Sequence, residues 1–161
     1  MPGKHAYAVS VEWTGNTGSG TSSYKSYERS CVVRADGHPD LAGSSDPHFR
    51  GDAERWNPEE LLVAALAQCH LLAFLHAAAV AGVVVVDYAD AATGTMVASG
   101  NGGHMTSVVL HPVVTVASES MVERVPALHD TAHRDCFIAN SVNFPVTHEP
   151  TTRAGAGPLP G

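Results

Sequence analysis

Apolar and polar residues alternate over residues 6–13, with Tyr7, Val9, Val11 and Trp13 on one side and Ala8, Ser10 and Glu12 on the other. A period of two predicts a half-buried strand. Residues 14–20, TGNTGSG, predict a turn or short loop. A second strand is expected over residues 23–34. Residues 36–55 show no period and are rich in Asp, Gly, Pro and Ser; they predict a long ordered loop. Asn57-Pro58-Glu59-Glu60 then opens a helix. Asn57 can cap it, Pro58 suits the first helical position, and Glu60 stands where it can close a capping box. This helix should run to about residue 81 and stop at Gly82. It is apolar nearly all round, so it is expected in the middle of the molecule. Residues 83–97 and 106–117 predict paired strands joined by a turn at residues 99–103, with Pro112 marking an edge or bulge. A second helix over 125–136 and a last strand near 143–148 follow. Strands, long helix, strands, helix, strand is an α+β order with a mostly antiparallel sheet. A single domain is expected over residues 1–150, and residues 151–161, rich in Pro and Gly, as a flexible tail.

Length and charge narrow the function. With 161 residues, 44% of them apolar, the chain can bury one real core. Its formal net charge is −7, with no Lys/Arg cluster to offset it, which argues against a nucleic-acid partner. The apolar run over residues 61–86 is interrupted by Gln68, His70, His76 and Gly82, so it predicts a core helix and a strand rather than a membrane span. Residues 1–13 lack the apolar stretch of a signal peptide, so a cytoplasmic protein is expected. Three cysteines, an odd number, do not suit a disulfide scaffold; their chemistry is expected to be catalytic, redox-sensing or metal-binding.

A free cysteine in an apolar helix is most often a small core residue, and position alone gives Cys69 and Cys136 no more than that. Their surroundings give more. Residues 57–70, NPEELLVAALAQCH, resemble the signature of the OsmC/Ohr family, an N-P-E-[EQ]-L opening with a reactive cysteine ten residues after the first Glu. Residues 132–140, AHRDCFIAN, resemble that family's second-cysteine segment, A-H-x-x-C-P-[VI]-[SA]-N. The resemblance implies mostly antiparallel sheets wrapped around a long central helix, in an intertwined homodimer with active sites at the subunit interface. It implies a peroxidatic Cys69, a resolving Cys136, and a Glu and an Arg that bind thiolate and peroxide. The Glu matches Glu59. The family's first-turn Arg position holds Thr17, and Phe137 replaces the usual Pro after the second cysteine. Other members place an Arg in the loop before N-P-E, where Arg50 stands; Arg29 and Arg55 are spares.

Physical chemistry says why such an Arg matters. The thiolate is the nucleophile, and apolar burial disfavours it. A helix dipole fades within one turn, and Cys69 lies about three turns in. A guanidinium would stabilise the thiolate and polarise the O–O bond, with Glu59 orienting it. Along a straight helix Glu59 and Cys69 are about 15 Å apart, so they can share a site only if the helix bends or if one comes from the other subunit, which supports a dimer. The resemblance thus predicts a thiol-dependent peroxidase acting on organic hydroperoxides in oxidative stress defence. Its reductant would be an external dithiol, lipoylated or thioredoxin-like, and it would need no cofactor. Leu66, Leu72, Ala73 and Phe137 are the apolar neighbours expected to favour organic substrates. Thr17 leaves open a non-catalytic relative that binds a small apolar ligand at the dimer interface. A metal site is disfavoured: Cys69 and His70 point about 100° apart on a helix, although His133-x-x-Cys136 has ligand-like spacing. His38, His48, His104 and His129 are expected to be solvated, and Cys31 to be structural.

Overall fold

The computed structural model describes residues 3–155. They divide into two compact units, one ending at Leu61 and the other beginning at Leu62. In the first unit, β1 (Ser10–Trp13), β2 (Cys31–Arg34) and β3 (Leu41–Gly43) make an antiparallel sheet in that order. Both expected strands are shorter than the pattern suggests. Ser26 Oγ accepts the Ser23 N–H and donates to the Gly20 carbonyl, which ties residues 20–26 into a turn instead of a strand. The alternating apolar side chains Tyr7, Val9, Val11 and Trp13 all stay exposed: the unit supplies a single sheet layer, and a strand pattern buries its apolar face only where a second layer exists. Cys31 faces Gly43, and a Cβ at residue 43 would sit 2.9 Å from its sulfur, so Cys31 fills the space that Gly43 leaves.

Helix α1 (Pro58–Ala81) opens as expected. Asn57 Oδ1 accepts the Glu60 N–H at 2.8 Å, and the Glu60 carboxylate accepts the Asn57 N–H at 3.2 Å. This is the reciprocal capping box. It also leaves the neighbouring Glu59 carboxylate uncommitted to the cap. The helix ends in a Schellman motif: the Val83 N–H reaches the Ala78 carbonyl at 2.9 Å and the Gly82 N–H the Ala79 carbonyl at 3.2 Å, with Gly82 at φ 70°. Gly82→Ala has room for its Cβ but not the backbone freedom, and should cost about 1 kcal/mol. Chemical denaturation with an unchanged m-value checks this.

In the second unit the expected long hairpin is present but bent in two. β4 (Val85–Asp90) pairs with β7 (Pro112–Val116), and β5 (Thr93–Ser99) with β6 (Gly102–Leu110), both antiparallel. The bend falls where Asp90 Oδ1 accepts the His111 N–H at 2.7 Å. That bond replaces a ladder bond and turns the corner, and Pro112 opens β7 just beyond it. β8 (Val146–His148) adds parallel to β6, and β9 (Thr151–Ala154) parallel to β7. The sequence places residues 151–154 in a flexible tail. They are a strand instead, tied by Arg153 Nε donating to Thr115 Oγ1 at 3.0 Å and by the Gly155 N–H on the Val116 carbonyl. The rest of that predicted tail, residues 156–161, lies outside the described residues.

α1 buries one face, Leu66, His70, Phe74 and Ala78, a spacing of four residues each. Leu66 packs with Val108, Leu110 and Val146; Phe74 and Ala78 pack with Val114, Val116 and the residues Val125, Leu128 and Ala132 of α2 (Val125–Asp135). Leu72 and Val80, on other faces, stay 57% and 76% exposed. Length and composition alone would let α1 cross a membrane. One face of it, with Leu66, His70, Phe74 and Ala78, is buried.

Candidate active site at the two-helix seam

The seam between α1 and α2 brings the two motif cysteines together. Cys69 is partly buried on α1, and Cys136 is buried just past the last residue of α2. Both are free thiols, and Cys69 lies close enough to Cys136 to perturb its thiol. The loop after Cys136 fixes its sulfur. The Ala139 N–H points at Cys136 Sγ at 3.4 Å, the Asn140 N–H caps the Cys136 carbonyl, and Asn140 Nδ2 donates to the Arg134 carbonyl. Burial, then the neighbouring Cys69, push the Cys136 thiol up to about 11. Cys136 thus keeps its proton at neutral pH. Two neighbouring free thiols are the raw material of a disulfide.

A group that the sequence reading missed lies beside the cysteines. His129 is not solvated. Apolar residues at 125, 128 and 132 put position 129 on the buried stripe of α2, and that spacing was the available signal. His70 Nε2 and His129 Nδ1 are 3.0 Å apart, and the two rings, 2° from parallel with centroids 5.3 Å apart, meet edge to edge through this bond. The ring of Phe74, one turn along α1, stacks on His129 with centroids 4.3 Å apart. His148 of β8 lies 5.5 Å from His70 and 5.9 Å from His129, and its Nε2 faces Asp130 at 3.3 Å. Burial, with smaller contributions from neighbouring histidines, lowers both His70 and His129 to about 4. Both are therefore neutral at pH 7. His129 Nε2 is buried with no hydrogen-bond partner, a cost of about 1–3 kcal/mol. Among the described residues no three side chains are placed to hold a metal ion; the facing nitrogens of His70 and His129 are aimed at each other.

The other predicted residues fall as follows. Glu59 stands in the first turn of α1. Arg50 is exposed after the 3-10 turn Pro47–Phe49, at φ 64°, and forms no ion pair among the described residues. Arg29 is engaged by the Tyr24 and Tyr27 carbonyls and stacks on both rings. Arg55 is engaged by the Cys31 carbonyl and Asp52. Thr17 donates to the Ser26 carbonyl at 2.7 Å and brings no charge. Leu66 is fully buried in the core and so cannot line a substrate site as the sequence suggests, whereas Leu72 and Phe137 are exposed.

The family model for OsmC-like protein matches residues 51–151. This chain belongs to the OsmC-like family. No curated protein matches it in sequence. Among solved structures, this OsmC-like protein resembles an OsmC-like protein of unknown function from Vibrio cholerae, at 31% identity and TM-score 0.83, covering 91% of this chain and 99% of that one. It also shares its fold with an organic hydroperoxide resistance protein OsmC from Legionella pneumophila, at 20% identity and TM-score 0.67 over 96% and 100% of the two chains. An organic hydroperoxide resistance protein from Elizabethkingia anophelis aligns at 19% identity and TM-score 0.66 over 94% and 99%.

Proposed function

We propose that this OsmC-like protein is a cysteine-based peroxidase that reduces organic hydroperoxides, in the cytoplasm and in defence against oxidative stress. The observation that carries the reading is the pairing of two free thiols at the α1–α2 seam, Cys69 partly buried and Cys136 buried, near enough to affect one another. Cys69, as thiolate, attacks the terminal peroxide oxygen; the O–O bond breaks, ROH leaves after taking up a proton, and Cys69 becomes a sulfenic acid. Cys136 then attacks that sulfur, its proton leaves with the hydroxyl as water, and a disulfide closes. An external dithiol, lipoylated or thioredoxin-like, returns both thiols by exchange. The two resistance proteins of the same fold support the substrate class by their names alone.

The reading assigns a homodimer. Its support is the exposed apolar side chains Leu72, Leu75 and Val80 of α1, together with the exposed Val11 and Trp13 of β1, more than a monomeric protein ordinarily leaves in contact with water. Light scattering should give twice the 16.8 kDa chain mass. Glu59 and Arg50 are assigned to bind the thiolate and peroxide, contributed across the dimer. Arg50→Met should lower peroxide reactivity at neutral pH about tenfold or more, while Arg29→Met and Arg55→Met, whose guanidinium groups are already engaged, should change it little.

The test of the reading is peroxide consumption with organic and inorganic peroxides and a panel of dithiols. One observation favours a second reading: Thr17 replaces a charge where the family resemblance places Arg. A non-catalytic protein binding a small apolar ligand would consume no peroxide with any dithiol, yet would bind an apolar fluorescent probe stoichiometrically.

A further inference from the structure

We propose that His70 and His129 are a positioning pair that holds Cys136 in register with Cys69 and so sets the rate of disulfide closure. The inference rests on the peroxidase reading for its oxidant, a hydroperoxide, but not for its geometry.

Three contacts step along the seam in one direction. Phe74 stacks on His129, His70 bonds to His129, and Cys69 lies near enough to Cys136 to perturb its thiol. From residue 129 to 136 α2 advances about two turns while α1 steps back from 74 to 69, so the helices run in opposite directions. The imidazole bond is thus the polar tie nearest the sulfurs along both helices: His70 is the next residue after Cys69, and His129 lies two turns before Cys136 on the same buried stripe. Apolar side chains alone would let the helices slide. A single edge-to-edge bond between two rings, with one ring clamped on Phe74, does not. Filling this position with two neutral imidazoles and one orphaned nitrogen is a costlier choice than two apolar rings, which points to a role beyond packing. The remaining charged and titratable groups around the pair are His148 on β8, and His133 and Asp130 on α2. None of them bonds to either ring, so the tie is between the two helices alone.

The step affected is Cys69–SOH plus Cys136–SH giving the disulfide and water. It needs the two sulfurs aligned, whereas attack on the peroxide needs only Cys69. Two variants divide the ring's jobs. His129→Phe keeps a ring for Phe74 and loses the bond; His129→Asn keeps an amide near the Nδ1 position and loses the stack. Reduced protein is mixed with cumene hydroperoxide, and the sulfenic acid is trapped with dimedone at timed intervals. His129→Phe should slow closure about tenfold, the rate equivalent of one net hydrogen bond, with sulfenic acid formation unchanged within about twofold and dimedone adduct accumulating. His129→Asn should close faster than His129→Phe. Closure at the native rate in His129→Phe overturns the proposal. So does equal slowing in both variants, which would assign the effect to packing. A thermal melt on each variant confirms that it is folded. Closure driven by diamide, with no peroxide present, is read in parallel. If the native protein forms no sulfenic acid, the peroxidase reading fails, and the diamide rates still decide the positioning role.

Discussion

Cys69→Ser is expected to reduce peroxide consumption to the level of buffer, whatever dithiol is supplied. A serine hydroxyl at this position is not ionised at neutral pH and is a far weaker nucleophile toward a peroxide oxygen than a thiolate. Cys136 cannot substitute, because its burial keeps it protonated. Cys136→Ser is expected to behave differently. Its first turnover should proceed at the native rate and stop at the sulfenic acid. A second equivalent of peroxide should then carry Cys69 to the sulfinic acid, a gain of about 32 mass units that dithiols do not reverse. Full activity in Cys69→Ser would move the nucleophile elsewhere. Continued turnover in Cys136→Ser would remove the resolving role.

The second large effect is on acid stability. In the unfolded chain each imidazole takes up a proton near pH 6.5, whereas His70 and His129 in the fold do so only near 4. Between those values the unfolded state binds more protons, so stability rises with pH. The stability is complete above pH 6.5 and is lost as pH falls from 6.5 toward 4. From pH 7 to pH 5 each histidine should cost about 2 kcal/mol; the two interact, so the sum is an upper bound. Urea unfolding midpoints at the two pH values, at constant m, measure it. His129→Phe should lose about half as much between the same pH values as the native protein. An unfolding midpoint that is flat from pH 7 to pH 5 would mean that the histidines are solvated.

How far this could be read in advance depended on whether each signal was local. The α1 cap was legible because Asn57, Pro58 and Glu60 lie within four residues and need no partner from elsewhere. The stop at Gly82 and the turn before β6 were legible for the same reason. The family was legible through the motifs around Cys69 and Cys136, not through their position, since a cysteine on an apolar helix is ordinarily inert. What could not be read depends on tertiary partners. Asp90 bends the hairpin only because it finds the His111 amide 21 residues away. Residues 151–154 become a strand because β7 has an open edge beside them. His129 is buried because His70 and Phe74 meet it from another helix. The alternating face of residues 7–13 stays exposed because no second layer in its unit covers it.

Intact-mass and peptide mapping of the reduced native protein, after one equivalent of an organic hydroperoxide, tests the central claim most directly. The account predicts a loss of about two mass units, for two thiol hydrogens removed, and a single linked peptide pair joining Cys69 to Cys136. An unchanged mass, or a disulfide that involves Cys31, would contradict it.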